Sequence, residues 1–473
     1  MRPLAAALAA LLFAAALPAG CGGKEEKNDR FDETEIVLSF SAMSDIHQQK
    51  DKTAYADKLL NALDYAEELN GGPLDVALFA GDLTEETWRQ NNEDYSAEYN
   101  ADVEMLKTTL ERGLDLEETG VFYSLGNHDT DPSVLGEEIM AGKPELFYNQ
   151  LGEEFFRIDA ADSRPEDGLR HAVVNGYHFL AVKPDYYWTL RGYSEETLQW
   201  LDARMSEITS ENPDRYVFVT AHPPVYGTVF MSYANDWADR DVADVLAKYP
   251  QAVYFSGHVH NVLQDEVQIS QSGGFTQLDC GSVKYTAVMN NINDAGATFD
   301  NSVGTRIDDF SQGLLVQVDA NGNIRVTRCD YYRRNTIKQA WELSYPKADK
   351  THLLAYDNER RQSENKAPEF AEDAVFSATM SGNTLRLQWS AAEDDDMVRY
   401  YRVTAYQMSD GKKTKLGTYN LATFTYLYDQ AEEMPETVSY ERKTEYSGEL
   451  FFECRAVDVW GATSEPIETV LEI

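Results

Sequence analysis

The sequence predicts an α/β domain with mixed β-sheets, followed by a smaller all-β sandwich. Short apolar runs typical of buried strands alternate with helical patterns from about residue 36 to residue 345. Two hairpin turns, Asn175-Gly176 and Asp319-Ala320-Asn321-Gly322, lie within that region, and hairpins add antiparallel pairs to a parallel arrangement. From residue 367 onward the chain has only short alternating runs separated by turn residues, which is typical of an all-β domain.

The size and composition of the chain indicate two or three folded domains. It has 473 residues, and 43% hydrophobic content with 12% aromatic residues is enough for a substantial core. The 41 basic and 81 acidic residues give a net charge of −40. Such acidity argues against nucleic-acid binding by phosphate neutralisation. If the substrate carries phosphate, the positive charge that attracts it has to come from bound metal.

The N-terminus has the features of a bacterial export signal. An apolar run over residues 4–17 follows Arg2 and is too short for a comfortable membrane span. Ala19-Gly20 before Cys21 resembles a lipoprotein signal, in which the cysteine becomes the lipidated first residue. Pro18 stands where leucine is usual, so an ordinary cleaved signal peptide is the alternative.

These features predict where the protein is located. We expect a lipoprotein-type signal peptide over residues 1–20 and a solvated tether over residues 21–34. The mature protein would then be a periplasmic or cell-surface lipoprotein of a Gram-negative-type bacterium, attached to the membrane through Cys21.

The remaining cysteines offer no disulfide framework, because Cys280, Cys329 and Cys454 are odd in number. Cys454 alternates with apolar residues and is expected in a strand core. Cys280 and Cys329 could pair, although nothing local demands it. No Cys-x-x-Cys spacing occurs, so a thiolate zinc site is not expected.

Helices and strands alternate along the α/β region. Helical spacing over residues 53–69 ends at Asn70-Gly71-Gly72-Pro73, and a second helix is predicted from Glu195 to Ile208. The strand candidates are residues 36–40, 76–80, 121–125, 216–220 and 253–255.

Each of these five strands is followed directly by polar residues with metal-binding side chains. The five motifs are Asp45-Ile46-His47, Gly81-Asp82, Gly126-Asn127-His128-Asp129, Ala221-His222 and Gly257-His258-Val259-His260. Five of the eight histidines fall in them. In open α/β sheets the carboxyl ends of the strands are where ligands bind, so the motifs are expected to meet at one site.

The residue types in the motifs indicate a metal centre. Asp82 can offer its two oxygens to two ions, and His258 and His260 would point the same way if their segment is extended. Asp, Asn and His ligands favour Mn, Fe, Zn, Co or Ni over Ca or Mg. A single histidine after a strand is more often a structural residue, but five such motifs together make coincidence implausible.

The ordered set of motifs resembles the calcineurin-like metallophosphoesterase superfamily, over about residues 35–345. The resemblance implies a four-layer α/β/β/α sandwich and two divalent metal ions with a hydroxide between them that attacks phosphorus. It implies that Asp45, His47 and His260 hold one metal. It implies that Asn127, His222 and His258 hold the other metal and that Asp82 bridges the two.

The same resemblance assigns roles to two residues that are not metal ligands. His128 would contact a phosphate oxygen and help to protonate the leaving group. Asp129, the second residue predicted at the catalytic site, would support the loop or orient His128.

One departure from the family's motif pattern argues against one of its subfamilies. Purple acid phosphatases place a tyrosine three positions after the Gly-Asp aspartate, where this chain has Glu85, so a tyrosine-ligated ferric centre is not expected. We expect residues 85–100 to form an acidic surface insertion, which could also cap the cleft. Tyr186-Tyr187-Trp188 and Tyr226 could line a substrate pocket or serve only in packing.

The remaining histidines, His171, His178 and His352, are expected to be structural.

The sequence of the C-terminal region predicts a linker followed by a β-sandwich. Residues 346–366 are polar and charged and predict a linker, and residues 367–473 contain alternating strands with an apolar Trp389. The pattern is immunoglobulin-like and resembles a fibronectin type III module, although Leu450 stands where a tyrosine is usual. We expect a spacer or docking surface whose removal at about residue 350 leaves full catalytic efficiency.

Together these observations predict an exported, dinuclear metal-dependent phosphoesterase that hydrolyses phosphodiester or phosphomonoester bonds of a small substrate. One alternative is a phosphomonoesterase or nucleotidase of the same fold. The other, from a different class, is a non-catalytic surface-binding lipoprotein. A non-catalytic descendant need not keep Asp82, His128 and His260 together, so the complete set favours an enzyme.

Overall fold

The computed structural model describes residues 27–85, 95–130, 143–152, 155–233, 237–286, 298–299, 309–422 and 435–473. The helices in these ranges are α1 (Thr53–Asn70), α2 (Tyr95–Gly113), α3 (Asn127–Thr130), α4 (Lys143–Leu151), α5 (Glu195–Glu211), α6 (Asp241–Leu246) and α7 (Asn358–Glu364). Among the described residues, no helix combines the length and the apolar character that crossing a membrane requires.

The described strands before residue 345 are β1 (Ile36–Met43), β2 (Val76–Ala80), β3 (Gly120–Ser124), β4 (Arg170–Val174), β5 (Tyr177–Ala181), β6 (Val217–Thr220), β7 (Ala252–Ser256), β8 (Ile269–Ser270), β9 (Thr276–Asp279), β10 (Thr298–Phe299), β11 (Gln312–Asp319), β12 (Ile324–Asp330), β13 (Asn335–Thr336) and β14 (Trp341–Leu343). All of them except β10 belong to the α/β part. The later strands are β15 (Phe376–Ser381), β16 (Thr384–Ser390), β17 (Val398–Ser409), β18 (Lys412–Ala422), β19 (Thr437–Lys443), β20 (Glu449–Asp458) and β21 (Ile467–Glu472).

Local sequence signals explain where several of these elements begin and end. Helix α1 ends at Gly71, whose φ of 79° suits the left-handed cap that glycine adopts without strain. Helix α5 begins after Ser194, whose side chain accepts a hydrogen bond from the backbone N–H of Thr197. Asn175 and Gly176 both have positive φ and connect β4 to β5 in the predicted two-residue hairpin.

Two mixed sheets form the α/β part. The first has the order β13-β12-β11-β1-β2-β3, with β14 also paired to β12, and β1, β2 and β3 run parallel to one another. The second has the order β4-β5-β6-β7-β9-β8, in which β5, β6, β7 and β9 are parallel. The hairpins β4–β5 and β11–β12 supply the antiparallel pairs that the sequence predicts.

The two sheets pack face to face, and helices cover both outer sides. Phe40 of the first sheet contacts the rings of Phe179, Phe218 and Phe255 of the second, at centroid distances of 5.3, 4.8 and 5.7 Å. A second buried cluster joins the first sheet to α1, α2 and α4, and a third joins the second sheet to α5 and α6. The predicted four-layer α/β/β/α arrangement is therefore confirmed.

The C-terminal part is an all-β sandwich, as predicted. A three-stranded sheet, β15-β16-β19, faces a sheet in which β18, β17, β20 and β21 are neighbours and β10 pairs with β18. The buried residues between them include Trp389, Tyr401 and Cys454, and Trp389 contacts Tyr401 edge-on at 5.4 Å. The arrangement is consistent with an immunoglobulin-like sandwich.

The segment predicted as a linker, residues 346–366, contains α7 and makes defined contacts with the α/β part. The Arg361 guanidinium donates to the carbonyl oxygens of Glu266 and Ile269, at 2.9 and 2.6 Å. The Asn358 amide donates to the Thr228 carbonyl at 2.8 Å. Such contacts fix the path of the chain in a way that its polar composition alone does not indicate.

The three described cysteines form no disulfide. Cys280, Cys329 and Cys454 are free and buried, so the alternative pairing of Cys280 with Cys329 does not occur. Cys454 lies in the sandwich core, as its alternation with apolar residues predicts.

Candidate metal centre

The five motifs follow the carboxyl ends of five strands in the two facing sheets. Strands β1, β2 and β3 of the first sheet lead into Asp45, Asp82 and Asn127, and β6 and β7 of the second lead into His222 and His258. The candidate ligands are buried. The sheet edges therefore bring together residues that lie far apart in the sequence.

The backbone of this site is unusual, because five candidate ligands have left-handed conformations. Asp45, His47, Asp82, His258 and His260 have φ values of 54°, 49°, 50°, 73° and 46°. Such conformations are uncommon outside glycine and cluster at functional sites. The extended segment on which the expectation for His258 and His260 depends is not present, because both residues have positive φ, and their rings enter different clusters.

Two glycines of the motifs are required by close approach. A Cβ on Gly126 would lie 2.1 Å from Oδ1 of Asp82, and a Cβ on Gly257 would lie 1.7 Å from Oγ of Ser44 and 2.5 Å from Oδ2 of Asp45. No other residue fits at these points without displacing a candidate ligand.

The first cluster contains Asp45, His47, Asp82 and His260, with ligand atoms that all lie within 4.8 Å of one another. Nε2 of His260 lies 2.6 Å from Oδ1 of Asp45 and 3.3 Å from Nε2 of His47. Nε2 of His47 lies 3.9 Å from Oδ2 of Asp82. Ligands at about 2.1 Å from one ion are roughly 3 to 4 Å apart, so most of these spacings suit a shared cation.

The second cluster contains Asp82, His222 and His258. Nε2 of His222 lies 3.1 Å from both Oδ2 of Asp82 and Nδ1 of His258. Asp82 is therefore common to both clusters. Asn127 is buried at the start of α3, and its Oδ1 accepts no hydrogen bond from the residues that the structure describes. A buried acceptor without a donor fits a residue whose oxygen binds a cation.

Three histidines are oriented through their second ring nitrogen. Nδ1 of His47 lies 3.0 Å from Oε2 of Glu85, Nδ1 of His222 lies 2.8 Å from the Ala80 carbonyl, and Nδ1 of His260 lies 3.3 Å from the Tyr285 carbonyl. Partners of this kind fix the ring and leave Nε2 pointing into the site.

The charges of the site favour a cation. Burial opposes ionisation of Asp45, but the nearby His260 and His222 outweigh it and lower its pKa to about 2. The pKa of Asp82 is likewise well below its ordinary value, since His222 and His128 outweigh burial. Burial lowers the pKa of His258 to about 3, which keeps this imidazole neutral and able to bind a metal.

The two residues predicted at the catalytic site lie beside Asp82. The backbone N–H of His128 donates to Oδ1 of Asp82 at 2.9 Å, and its Nε2 lies 4.0 Å from Oδ2. The Asp129 carboxylate accepts from the backbone N–H groups of Gly126, Leu83 and Thr84. Asp129 thus joins the loops after β2 and β3, which agrees with a supporting role.

Sequence reasoning missed two contacts at the site. The sequence predicts Glu85 at the start of a surface insertion, but its carboxylate bonds to Lys284 and lies against His47. Burial opposes its charge, but His47 and Lys284 bring the pKa of Glu85 to about 2. Trp237 lies near His258 with ring centroids 5.1 Å apart. The only available signal for Glu85 was its position three residues after Asp82. The rest of the predicted insertion, residues 86–94, lies outside the described residues.

The three histidines expected to be structural lie away from these clusters. His171 lies between Asp162 and His178, at 2.8 and 2.9 Å. Nε2 of His352 lies 2.9 Å from the Pro250 carbonyl.

Part of the chain that contains this site matches a known family model. Residues 38–262, somewhat less than half of the chain, match the model of the family described as Calcineurin-like phosphoesterase. That range contains all seven candidate ligands. No curated protein matches the chain.

Two solved structures are similar over parts of the chain. A purple acid phosphatase from yellow lupin seeds is 13% identical over 68% of this chain and 55% of its own, with a TM-score of 0.44. This chain thus spans about half the length of that protein. A PKD domain of an M14-like peptidase from a Thermoplasmatales archaeon is 13% identical over 23% of this chain and 97% of its own, with a TM-score of 0.14.

The four-layer fold and the ligand clusters agree with the match of residues 38–262 to the Calcineurin-like phosphoesterase family.

Proposed function

We propose that the protein is a dinuclear metallophosphoesterase that cleaves phosphodiester or phosphomonoester bonds of a small substrate. The observation that carries this proposal is the position of Asp82, whose carboxylate belongs to both ligand clusters. Asp45, His47 and His260 would hold one divalent ion, and Asn127, His222 and His258 would hold the other. Such a pair supplies charge neutralisation at phosphorus and a water of lowered pKa.

The chain's own residues would then position the phosphoester and move a proton. His128 is held by its backbone bond to Asp82, and its ring lies 4.5 Å from that of His47 in an edge-on contact. From this place it would contact a phosphate oxygen and deliver a proton to the leaving oxygen. Asp129 would hold the loop that carries His128 through its three backbone hydrogen bonds.

The test combines metal content with turnover. Purified protein loaded with Mn²⁺ is expected to bind two equivalents, measured by elemental analysis, and to hydrolyse an aryl phosphoester. Asp82→Ala and His260→Ala should lower kcat at least a thousandfold. His178→Gln, which changes a half-buried histidine outside both clusters, is the matched control and should keep full activity.

The result of a substrate panel separates the remaining possibilities. Turnover of monoesters alone would identify a phosphomonoesterase or nucleotidase, and turnover of diesters would identify a phosphodiesterase. Metal content near zero, with no turnover across the panel, would contradict the proposal and leave a non-catalytic surface-binding lipoprotein.

We also propose that the protein is exported and anchored through a lipid on Cys21, with residues 21–34 as a tether. The apolar run of residues 4–17 and the small residues before Cys21 support this proposal. Metabolic labelling with radioactive palmitate should mark the wild-type protein and not Cys21→Ala. Equal labelling of both, or release of both into the soluble fraction, would contradict it.

For the C-terminal part we propose a fibronectin type III-like module over residues 367–473, preceded by the segment 346–366 and by a catalytic domain over residues 35–345. Seven strands in two antiparallel sheets and a buried Trp389 between the sheets support the proposal. Limited proteolysis should yield a stable fragment that begins near residue 367. Continuous degradation of this region would contradict it.

A further inference from the structure

Two tryptophans lie beside the second ligand cluster. The rings of Trp188 and Trp237 lie 5.2 and 5.1 Å from that of His258, measured between centroids. The two indoles contact each other edge-on, 5.7 Å apart with an interplanar angle of 85°. We call Trp188 and Trp237 the aromatic wall. It lies directly next to the candidate metal ligand His258.

The backbone that carries Trp188 is held in place by its own hydrogen bonds. The N–H groups of Asp185 and Tyr186 both donate to the Gly192 carbonyl, at 2.8 and 3.1 Å, which closes a loop over residues 185–192. The Tyr187 hydroxyl donates to the Leu125 carbonyl at 2.9 Å. The loop is therefore tied to the end of β3, two residues before Asn127.

A buried carboxylate joins this loop to the segment of Trp237. Oδ2 of Asp239 accepts from the Gly192 N–H at 2.6 Å, and Oδ1 accepts from the Asp241 N–H at 2.6 Å. The Arg240 N–H donates to the Leu190 carbonyl at 2.8 Å. The two halves of the aromatic wall thus come from separate parts of the chain that are bonded into one unit.

Trp188 itself shows strain and exposure together. Its φ is 59°, a left-handed value that is an outlier for a bulky side chain. Such strain persists where the surrounding structure enforces it, and it is concentrated at binding sites. Trp188 is 36% exposed and its neighbour Tyr186 is 56% exposed, although both are large aromatic residues. A core-packing role alone does not account for an indole that is strained and still faces solvent.

We propose that the aromatic wall stacks against a planar ring in the organic group of the substrate. The substrate class is then a phosphoester that carries a planar aromatic ring, such as a nucleobase. This inference rests on the proposed function, because the metal centre has to hold the phosphoryl group next to His258. Stacking on an indole is worth about 1–3 kcal/mol per base, or roughly fivefold to 150-fold in affinity.

The geometry favours a stacked ring over other ligands. The cavity between Tyr186, Trp188, Trp237 and His258 has a volume of about 10 Å³, which is room for a single water molecule. A ring would therefore bind outside the cavity, against the part of Trp188 that is exposed. A quaternary ammonium group held in an aromatic cage needs several open ring faces. Trp188 and Trp237 contact each other edge-on, so one indole covers a face of the other with its edge, and such a cage is not favoured.

The experiment uses ligands that differ only in the base. Methylenephosphonate analogues of adenosine 5′-monophosphate and of ribose 5-phosphate resist hydrolysis, and their binding to the Mn²⁺-loaded protein can be measured by calorimetry. The wild-type protein should bind the adenosine analogue about tenfold more tightly. Trp188→Leu should lose about tenfold for the adenosine analogue and keep its affinity for the ribose analogue. Trp188→Phe should restore most of the preference, and Tyr332→Leu, an exposed aromatic far along the chain, should change neither affinity.

Each outcome bears on the inference. Equal weakening of both analogues in Trp188→Leu, with Trp188→Phe no better, would show that the indole only supports His258 and would overturn the inference. A preference that persists in both Trp188→Leu and Trp237→Leu would overturn it as well. Hydrolysis of both parent phosphoesters at equal kcat/KM would leave the proposed function standing without this inference. A base-dependent affinity without any hydrolysis would support the aromatic wall and contradict the proposed function.

Discussion

Oε2 of Glu85 lies 3.0 Å from Nδ1 of His47, on the side of the imidazole that faces away from the ligand cluster. Nε2 of the same ring faces His260 and Asp45. Glu85 is bonded to Lys284, so the carboxylate is itself held in place. The contact makes Glu85 a positioning residue for a candidate metal ligand, at the sequence position where purple acid phosphatases have a tyrosine.

The first prediction concerns this carboxylate. Glu85→Gln should weaken Mn²⁺ binding roughly tenfold to a hundredfold, because His47 loses the charged partner that fixes its ring and raises its basicity. Calorimetric titration of the metal-free protein measures the effect, and the exposed Glu117→Gln is the control. An unchanged dissociation constant in Glu85→Gln would mean that the loop alone orients His47.

The second prediction concerns the glycine before His258. Gly257→Ala should abolish binding of at least one metal ion, because the added methyl group would lie 1.7 Å from Oγ of Ser44 and 2.5 Å from the Asp45 carboxylate. Elemental analysis and thermal unfolding measure the outcome. Gly72→Ala has no heavy atom within 4 Å of the new Cβ and should behave as the wild type. Two bound metal ions in Gly257→Ala would contradict the close approach.

The location of the site could be predicted from the sequence because each motif directly follows a strand. Parallel strands place their carboxyl ends at one sheet edge, so apolar runs that end in Asp45, Asp82 or Asn127 indicate both the fold and the site. Family resemblance then supplied the division of the ligands into two sets. The hairpins at Asn175-Gly176 and residues 319–322 could also be predicted from the sequence, because their turn residues determine the local backbone conformation.

The remaining features depend on contacts between distant segments. Glu85 reaches His47 because the segments after β1 and β2 run side by side, with an isolated bridge between Gln48 and Thr84. Trp237 reaches His258 through the bonds that Asp239 makes to another loop. The left-handed backbone conformations of the ligands could not be predicted from the sequence. Local preference opposes such conformations, and only the packing of the two sheets imposes them.

The third prediction concerns the C-terminal sandwich, which the sequence indicated as a spacer or docking surface. The Arg399 guanidinium donates to Oδ2 of Asp265 at 2.6 and 3.1 Å, with side chains only 12% and 2% exposed, and it also lies over the ring of Phe230. Arg399→Met should lower the free energy of unfolding by about 3 kcal/mol, since it leaves Asp265 buried without its cation. Chemical denaturation of the variant and the wild type measures this difference in the free energy of unfolding.

The control for this prediction is Arg386→Ala, which removes an exposed pair with Glu441 on the sandwich surface. It should cost less than about 1 kcal/mol. Equal stability of Arg399→Met and the wild type would support the spacer interpretation. The apolar cluster of Val267, Met397 and Val459 beside the Arg399 pair is a further reason to expect that the two parts unfold together.

The fourth prediction is a pH dependence that Glu266 should impose on stability. Oε1 of Glu266 lies 3.0 Å from Arg328 and 3.2 Å from Lys338, and Oε2 accepts from the Trp341 indole at 3.2 Å. Burial would raise its pKa, but the two cations outweigh burial and lower the pKa of Glu266 to about 2. A carboxyl whose pKa is lower in the folded than in the unfolded protein stabilises the fold above the unfolded value, near 4.5.

That stabilisation should be lost as the pH falls from about 4.5 towards 2, because both states then bind the proton. Glu266→Gln should therefore be less stable than the wild type at pH 7, by at most about 3 kcal/mol, and the difference should fall to roughly 1.4 kcal/mol at pH 3. Urea denaturation across this range measures the difference, with the half-exposed Glu342→Gln as a control that should stay constant. A gap between Glu266→Gln and the wild type that does not narrow on acidification would show that packing, and not charge, accounts for the contribution of Glu266.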